Sequence, residues 1–364
     1  MALSYASNAI FSKARAMYGK RLKENDYAKL LGCNSVPEIL SCLKGYEKYA
    51  PMLNKLSERD VHRTQLESAL KQQLFQDYES LCRYEVTVGE DFSKYTIMRA
   101  EINQIMNFLT MLNSGNPHEF YSTLPKYFLR VSSINFAALS NTNNYDEFLN
   151  VLGKSAYAKL LAPYKPKSGE RIDIMTVENV LLFHLFKTVY EIVDKTKGAE
   201  HDALKKIFDT NIDLRNFTRV LRVKKYYKLE PDQIKKLLIP FGSLKARQLE
   251  ALCNAQDSKE LFAVMQQTMA GRCISRLEYS YTSEIPRRAL YEESHKQMYF
   301  SVNPSVVLVA YHALAETEVD NIIHIIEGVR YGVDAEKVKS LLIMLIILRY
   351  CKLRREEVKC PFLL

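Results

Sequence analysis

A short glycine–lysine–serine run is the first place where the sequence could support phosphate chemistry. Gly153-Lys154-Ser155 resembles the end of a phosphate-binding loop, whose backbone amides and lysine hold nucleotide phosphates. That motif needs another glycine five residues before Gly153, and Phe148 occupies this position. A glycine directly after an apolar helical segment is also typical of a helix C-terminus. We therefore predict that a helix ends at Gly153 and that no nucleotide binds there.

Metal and nucleophile chemistry lacks its usual residue spacing. The seven histidines include no pair four residues apart with a third ligand nearby in sequence. The seven cysteines include no Cys-x-x-Cys pair, which argues against a zinc site and favours a reducing compartment. Neither Gly-x-Ser-x-Gly nor His-Glu-x-x-His occurs. The sequence thus predicts no cofactor, no metal, no small-molecule ligand and no catalytic role.

One basic cluster could contact phosphates or an acidic partner. Its members are Arg219, Arg222, Lys224 and Lys225. The adjacent Tyr226 and Tyr227 cannot both share a helix face with the arginines, so the stacking pattern of a nucleic-acid site is missing. The chain as a whole carries a net charge of +9, which favours acidic partners or an anionic surface. We interpret the cluster as a solvated or partner-facing surface and predict no nucleic acid.

The cluster belongs to a pattern that occurs three times, in residues 101–125, 213–240 and 318–342. The three copies open with an acidic residue, at steps of 112 and 105 residues: Glu101, Asp213 and Glu318. An amide residue follows three positions later in each copy: Gln104, Asn216 and Asn321. A second helix is predicted to begin at Pro117, Pro231 and Ala335, because proline favours the first helical turn. Each copy therefore predicts a helix–turn–helix.

A second marker repeats in the same order. An apolar residue followed by glutamate occurs at Leu66-Glu67, Val177-Glu178 and Leu277-Glu278, each before one copy of the first pattern. These glutamates are either ordinary helix-surface residues or partners in a repeated structural ion pair. Two markers with matching order predict a triplication, with repeats at 1–125, 126–240 and 241–364. A period this long indicates a small helical domain in each repeat.

Helical apolar spacing runs through most of the chain, and we predict an all-α fold. A long helix is expected over 60–86, and 172–193 reads as a helix that is apolar on nearly all sides and hence buried between repeats. Pro286 predicts a helix break, while the only strand-like run is 84–88. The longest apolar run, 341–348, predicts a buried helix and is too short to span a bilayer, which needs about 20 residues.

These features resemble the C subunit of the V/A-type rotary ATPases, in a family that also includes the d subunit of the eukaryotic enzymes. The resemblance rests on NIDLRNFTRVLRVKKYYKLEPDQIKKLLIPFGS, on ETEVDNIIHIIEGVRYGVDAEKV and on the opening YASNAIFSKARAMYGKRLKENDYAKLL. It extends over essentially the whole chain. Departures from the family pattern are Tyr227, where a glycine is frequent, and Gln104 in place of asparagine.

The resemblance implies a non-catalytic rotor part. Three helical repeats would form a funnel about a pseudo-threefold axis, on the cytoplasmic face of a membrane and without a transmembrane segment. Its partners would be the central-stalk subunits and the membrane rotor ring, between which it would pass torque for ion transport. The alternatives are a generic all-helical scaffold or adaptor protein in the cytosol and a cytosolic enzyme of unknown type.

Overall fold

The computed structural model describes residues 2–344, apart from 60, 126, 168, 228, 275, 276 and 278–280. The chain is 74% helical, and no strand occurs among the described residues, which confirms the predicted all-α class. In the same residues, no helix combines the length and the apolar character that crossing a bilayer requires.

Divided at the predicted repeat boundaries, the described helices form three sets in chain order. The first group is α1 Ala2–Gly19, α2 Glu24–Leu31, α3 Val36–Lys44, α4 Ala50–Leu53, α5 Arg63–Cys82, α6 Gly89–Asn113 and α7 Phe120–Thr123. The second is α8 Phe128–Val131, α9 Tyr145–Leu152, α10 Ala156–Leu161, α11 Ile174–Val193, α12 Gly198–Tyr226 and α13 Pro231–Lys236. The third is α14 Ala246–Asn254, α15 Ser258–Gln266, α16 Met269–Ile274, α17 Ile285–Phe300, α18 Pro304–Arg330 and α19 Ala335–Leu341. Short 3-10 turns occur at Pro117–Glu119, Phe136–Asn141, Ala162–Tyr164 and Thr282–Glu284.

Local sequence explains several helix ends. The Ser35 hydroxyl accepts a hydrogen bond from the Glu38 amide at 3.3 Å and caps α3, and the Asn144 side chain caps α9 in the same way. These caps satisfy amides that have no partner within the helix. Gly153 follows α9 with φ +57°, a conformation that favours glycine, so the predicted helix end is confirmed.

Each of the three predicted units is a long helix, a turn and a second short helical segment. The long helices are α6, α12 and α18, and they carry the three acidic markers. The second segment begins at Pro117 as a 3-10 turn leading into α7, at Pro231 as α13 and at Ala335 as α19. All three starts lie at the residues predicted from spacing. The placement of the units about a pseudo-threefold axis stays a prediction.

The core of the described residues consists of one central cluster, three outer clusters and a small fifth cluster between α11, α12 and residue 239. The central cluster joins α1, α5, α6, α11, α12, α17 and α18 through residues such as Ile10, Phe92, Phe208 and Tyr311. Each outer cluster combines the C-terminal half of one long helix with other helices, which follow the long helix in sequence for α6 and α12 and precede it for α18. These clusters join α6 to residues 120–185, α12 to residues 234–289 and α18 to residues 22–70. The third outer cluster therefore brings the two ends of the described chain together.

Helix α11 differs from its prediction because it is buried on one side only. Val177, Leu181 and Leu185 are buried against neighbours that include α6, α10 and α12. Val180 is only half-buried, and Phe183 is 43% exposed. The run of apolar residues hides this asymmetry, since an apolar residue on the outer face leaves no mark in the hydropathy pattern.

Three other expectations meet different outcomes. The predicted 60–86 helix is shorter, and residues 84–88 form a turn in which the Glu85 carboxylate accepts from the amides of Thr87 and Val88. The predicted break at Pro286 is confirmed, because α17 starts at Ile285 with the proline in its first turn. The predicted 341–348 helix is wrong at its start: α19 ends at Leu341, and Leu342–Ile343 is buried but not helical. Residues 345–348 lie outside the described residues.

Candidate functional site

The acidic marker of α6 is bonded to residues of the second predicted repeat. Glu101, which is 8% exposed, accepts hydrogen bonds from the Ser132 hydroxyl at 2.6 Å and the Tyr157 hydroxyl at 2.8 Å. Burial, followed by the negative charge of Glu101, raises the pKa of Tyr157, so this phenol stays protonated and can donate. The marker thus links α6 to the loop after α8 and to α10.

The acidic marker of α12 is bonded to the start of the third predicted repeat. Asp213 is fully buried and accepts from the Ser243 hydroxyl at 2.6 Å, the Ser243 amide and the Leu244 amide. Gly242 has φ +107°, and a Cβ atom there would lie 2.2 Å from the Asp213 Oδ1 atom. Glycine is therefore required at 242 both by the backbone conformation and by the close approach of the carboxylate.

The acidic marker of α18 is bonded to the N-terminal part of the chain. Glu318, 6% exposed, accepts from the Leu22 amide at 3.0 Å, from Lys48 Nζ at 2.6 Å and from the Tyr49 hydroxyl at 2.5 Å. Burial and the charge of Glu318 raise the pKa of Tyr49, which keeps its hydroxyl a donor. This junction spans 296 residues of sequence and closes the chain on itself.

The three junctions share one arrangement. Their donors at Leu22, Ser132 and Ser243 are separated by 110 and 111 residues, close to the period of the markers. With the predicted repeat boundaries, every acid reaches from one repeat into the next, and the last acid reaches back to the first repeat. Buried carboxylates with several donors are stable because the hydrogen bonds replace lost water. The markers are suited to holding a closed ring of three parts together.

The amide markers hold the chain that follows each second helix. Asn216 exchanges two hydrogen bonds of 2.9 Å with the backbone of Ile239, and Asn321 does so with Ile343 at 2.8 and 2.9 Å. Gln104 forms no such pair among the described residues, and its Oε1 atom is buried without a hydrogen-bond partner. The clamp is therefore absent at Gln104, whereas Asn113 of the same unit exchanges two hydrogen bonds of 2.9 Å with the backbone of Ile172.

The second set of markers does not behave uniformly. Glu178 pairs with Arg219 of α12 at 3.2 Å, which is the structural ion pair that the sequence suggested. Glu67 pairs with Arg63 and Lys71 of its own helix, and Arg63 also contacts Glu327 on α18. Glu278 lies outside the described residues. An ion pair with the following unit is therefore present at Glu178, but it does not recur at Glu67, whose partners lie on its own helix.

The basic cluster on α12 divides into inward and outward side chains. The Arg219 side chain is 11% exposed and donates to the Leu237 carbonyl at 2.7 Å as well as to Glu178. Lys224 donates to the Cys253 carbonyl at 2.6 Å, whereas Arg222 and Lys225 are exposed. The expectation of one surface with four outward cations is wrong, because Arg219 and Lys224 satisfy backbone carbonyls within the fold. The partner-facing role of Arg222 and Lys225, which are exposed, stays a prediction.

A cavity of about 230 Å³ lies where the three long helices face one another. Its walls include residues that lie the same number of positions along the sequence from each acidic marker. Six residues before the markers are Tyr95, Ile207 and His312; two residues before them are Arg99, Asn211 and Glu316. Helices α6 and α12 also contribute Asn103 and Arg215, which lie two residues after their acidic markers. We name this space, with these eight residues, the central socket.

The charged residues of the central socket are two arginines and one glutamate. Arg99 is ion-paired with Glu316 across the socket. Burial is the largest single influence on the pKa of Glu316 and raises it, but the charge of Arg99, its hydrogen bond and smaller contributions from nearby cations together lower the pKa below its usual value. Burial lowers the pKa of His312 to about 4, so this ring is neutral at pH 7 and packs on Tyr78 with centroids 4.4 Å apart. The socket is therefore apolar over much of its wall and carries a small positive charge.

The central socket could not be found from single motifs, because its residues are spread over three distant helices. A signal does exist in the repeat alignment, which places polar residues at the same offset on otherwise apolar helix faces. In the part of the chain that the structure describes, no three His, Cys, Asp or Glu side chains are arranged to hold a metal ion.

Asp213 gives an expected pH dependence of stability. Burial, only partly offset by the bonds from Ser243 and Leu244, raises the pKa of Asp213 to about 6, against roughly 3.9 in an unfolded chain. Its proton thus stabilises the folded chain below pH 4, and this contribution is lost as the pH rises through 6. We expect the free energy of unfolding of the wild type, relative to Asp213→Asn, to fall by about 2 kcal/mol between pH 4 and pH 7.

Urea unfolding of both proteins at several pH values measures this difference. Groups common to both proteins, such as His312, cancel in the comparison. A difference that stays flat or rises with pH would show that Asp213 keeps an ordinary pKa.

Comparisons with known proteins place the chain in a family. A profile of the family described as ATP synthase (C/AC39) subunit matches residues 10–341. The C subunit of the A-type ATP synthase of Pyrococcus abyssi is 22% identical over 338 residues, covering 91% of this chain and 88% of the relative. The C subunit of the A-type ATP synthase of Methanosarcina mazei is 22% identical over 344 residues, covering 92% of each chain. The resemblance drawn from the sequence is thereby confirmed, and the chain belongs to the ATP synthase (C/AC39) subunit family.

Proposed function

We propose that this chain is a non-catalytic central-stalk subunit of a V/A-type rotary ATPase. It would link the stalk to the membrane rotor ring and transmit torque between ATP hydrolysis and ion transport. The family match supports a rotary ATPase subunit. The mechanical role is our inference from how the chain is held together.

One observation carries the mechanical part of this proposal. Each buried acid, Glu101, Asp213 and Glu318, bonds to the next predicted repeat, and Glu318 closes the circuit at Leu22. A chain of three helical domains joined only end to end would bend at its linkers. A closed set of junctions resists such bending, because a rotation at one junction must strain the other two. A part that passes torque needs this stiffness.

The central socket and the surface charge support the proposed partners. A socket bounded by three helices can receive the end of an elongated stalk, and its mixture of aromatic and charged walls suits a protein contact. The exposed cations Arg222 and Lys225, within a net charge of +9, suit an acidic protein or an anionic membrane surface. We propose that the chain binds the complex at the cytoplasmic face of the membrane as a peripheral component.

Copurification tests the proposal. The chain is tagged at its natural locus, membranes are solubilised in a mild detergent, and captured proteins are identified by mass spectrometry. We expect head, stalk and membrane-ring proteins of one ATPase in stoichiometric amounts. Capture of the chain without them, mainly from the cytosolic fraction, would contradict the proposal and favour the scaffold alternative.

A further inference from the structure

Arg215 is a cation of the central socket without a carboxylate partner. Its Nε atom donates to the Asn211 side chain, one helical turn earlier, at 2.8 Å. Among the described residues, no carboxylate lies within ion-pair distance of it, whereas Arg99 at the same cavity is paired with Glu316. A guanidinium has five N–H donors, so most of the donors of Arg215 point to solvent or to an absent group.

Arg215 presents its charge to the cavity from an exposed side chain. Aromatic and aliphatic walls, including Phe92, Phe186 and Leu290, surround the same space. The neighbouring cation Arg99 is already paired with Glu316, so Arg215 is the cation of the socket that remains for an acidic group. An unpaired cation beside partly apolar walls is suited to an acidic group on an apolar partner segment.

The size of the socket limits what can enter. Its volume of about 230 Å³ is below the roughly 300–1,000 Å³ of typical small-molecule sites. A few side chains at the end of a protein segment fit this volume better than a cofactor does. Apolar walls favour apolar side chains, and an arginine without an acidic partner favours a carboxylate that accepts two hydrogen bonds.

We propose that Arg215 binds the carboxylate of an Asp or Glu side chain carried by an apolar segment of the central stalk that enters the socket. This inference rests on the proposed function and adds the chemistry by which the stalk is recognised. Insertion would neutralise Arg215, complete its hydrogen bonds and cover the aromatic walls. Only an apolar segment that carries an Asp or Glu would both pair with Arg215 and cover the apolar walls of the socket.

The first test compares Arg215→Gln with Arg83→Gln in the assembled ATPase. The Arg83→Gln change removes the same charge and serves as the matched control. Arg83 directly follows α5, and its side chain is 72% exposed. We expect Arg215→Gln to weaken the binding of the chain to the stalk proteins roughly 30-fold or more, Arg215→Lys to restore part of it, and Arg83→Gln to leave it unchanged. The melting temperature should stay the same, since Arg215 has no ion pair to lose.

The second test identifies the occupant. A photo-cross-linking phenylalanine derivative replaces Tyr95 in the socket wall of the assembled complex, and the captured peptide is sequenced. We expect a stalk segment with apolar residues and an Asp or Glu. A captured segment without an acid, or an Arg215→Gln chain that binds the stalk like the wild type, overturns the inference and leaves the proposed function standing. Absence of every other ATPase protein from the wild-type preparation overturns both.

A free anion is a separate outcome. Inorganic phosphate at millimolar concentration is added to the purified chain, and the melting temperature is recorded. We expect no difference between the wild type and Arg215→Gln. Stabilisation by phosphate that disappears in Arg215→Gln would assign the socket to a free anion and overturn the assignment to a protein carboxylate.

Discussion

Membrane vesicles that lack this chain are expected to lose ATP-driven ion uptake while the catalytic head continues to hydrolyse ATP. If the chain is the mechanical link between stalk and ring, its removal leaves rotation in the head with no route to the membrane. Hydrolysis should persist, because we assign no catalytic residue to this chain. Uptake is measured with a dye that reports the ion gradient, and hydrolysis by phosphate release from the same preparation.

The control for this experiment is reconstitution. Adding purified wild-type chain to the depleted vesicles should restore uptake and should make hydrolysis sensitive again to blockers of the membrane ring. If the depleted vesicles take up ions at the normal rate, the chain has no coupling role, and the scaffold or adaptor alternative replaces the proposal.

A single charge in α11 is expected to unfold the protein. Leu181 is fully buried in the outer cluster that α11 forms with α6 and residues 120–185. An aspartate there would lie among the apolar side chains of this cluster, and an unpaired buried charge costs several kcal/mol, on the scale of the roughly 5–15 kcal/mol that stabilise a domain. We expect Leu181→Asp to aggregate on expression or to show no cooperative melting transition.

Phe183→Asp is the matched control, two residues along the same helix. Phe183 is 43% exposed and contacts the ring of Phe241 with centroids 5.4 Å apart, so its loss should cost about 1 kcal/mol. We expect this variant to fold and to melt only a few degrees below the wild type. Equal behaviour of the two variants would mean that α11 is buried on both faces or on neither.

The units of the fold could be predicted because their signals are local. Proline at Pro117 and Pro231 marks the first turn of a helical segment, and apolar spacing marks the long helices, so neither needs knowledge of distant residues. The side on which a helix is buried is a different kind of information. Phe183 and Leu181 are both strongly apolar, and only the position of α6 decides which of them reaches water.

The candidate site was predictable in part. The acids Glu101, Asp213 and Glu318 were found from their spacing, but their donors lie up to 296 residues away and no local pattern names them. The prediction for the basic cluster missed two contacts for a related reason. Arg219 and Lys224 bond to backbone carbonyls, and the sequence does not show that these carbonyls lie beside α12. Backbone acceptors carry no residue type, so a sequence cannot show which cations they will hold.

The junction at Glu318 also sets an order for synthesis. Lys48 leaves the ribosome 270 residues before Glu318, which corresponds to roughly 15 to 50 seconds at 5–20 residues per second. During that time the N-terminal helices lack Ile322, Ile325 and Ile326, which complete their cluster. The first part of the chain to be made is therefore among the last to be finished, and its apolar surface needs protection until α18 arrives.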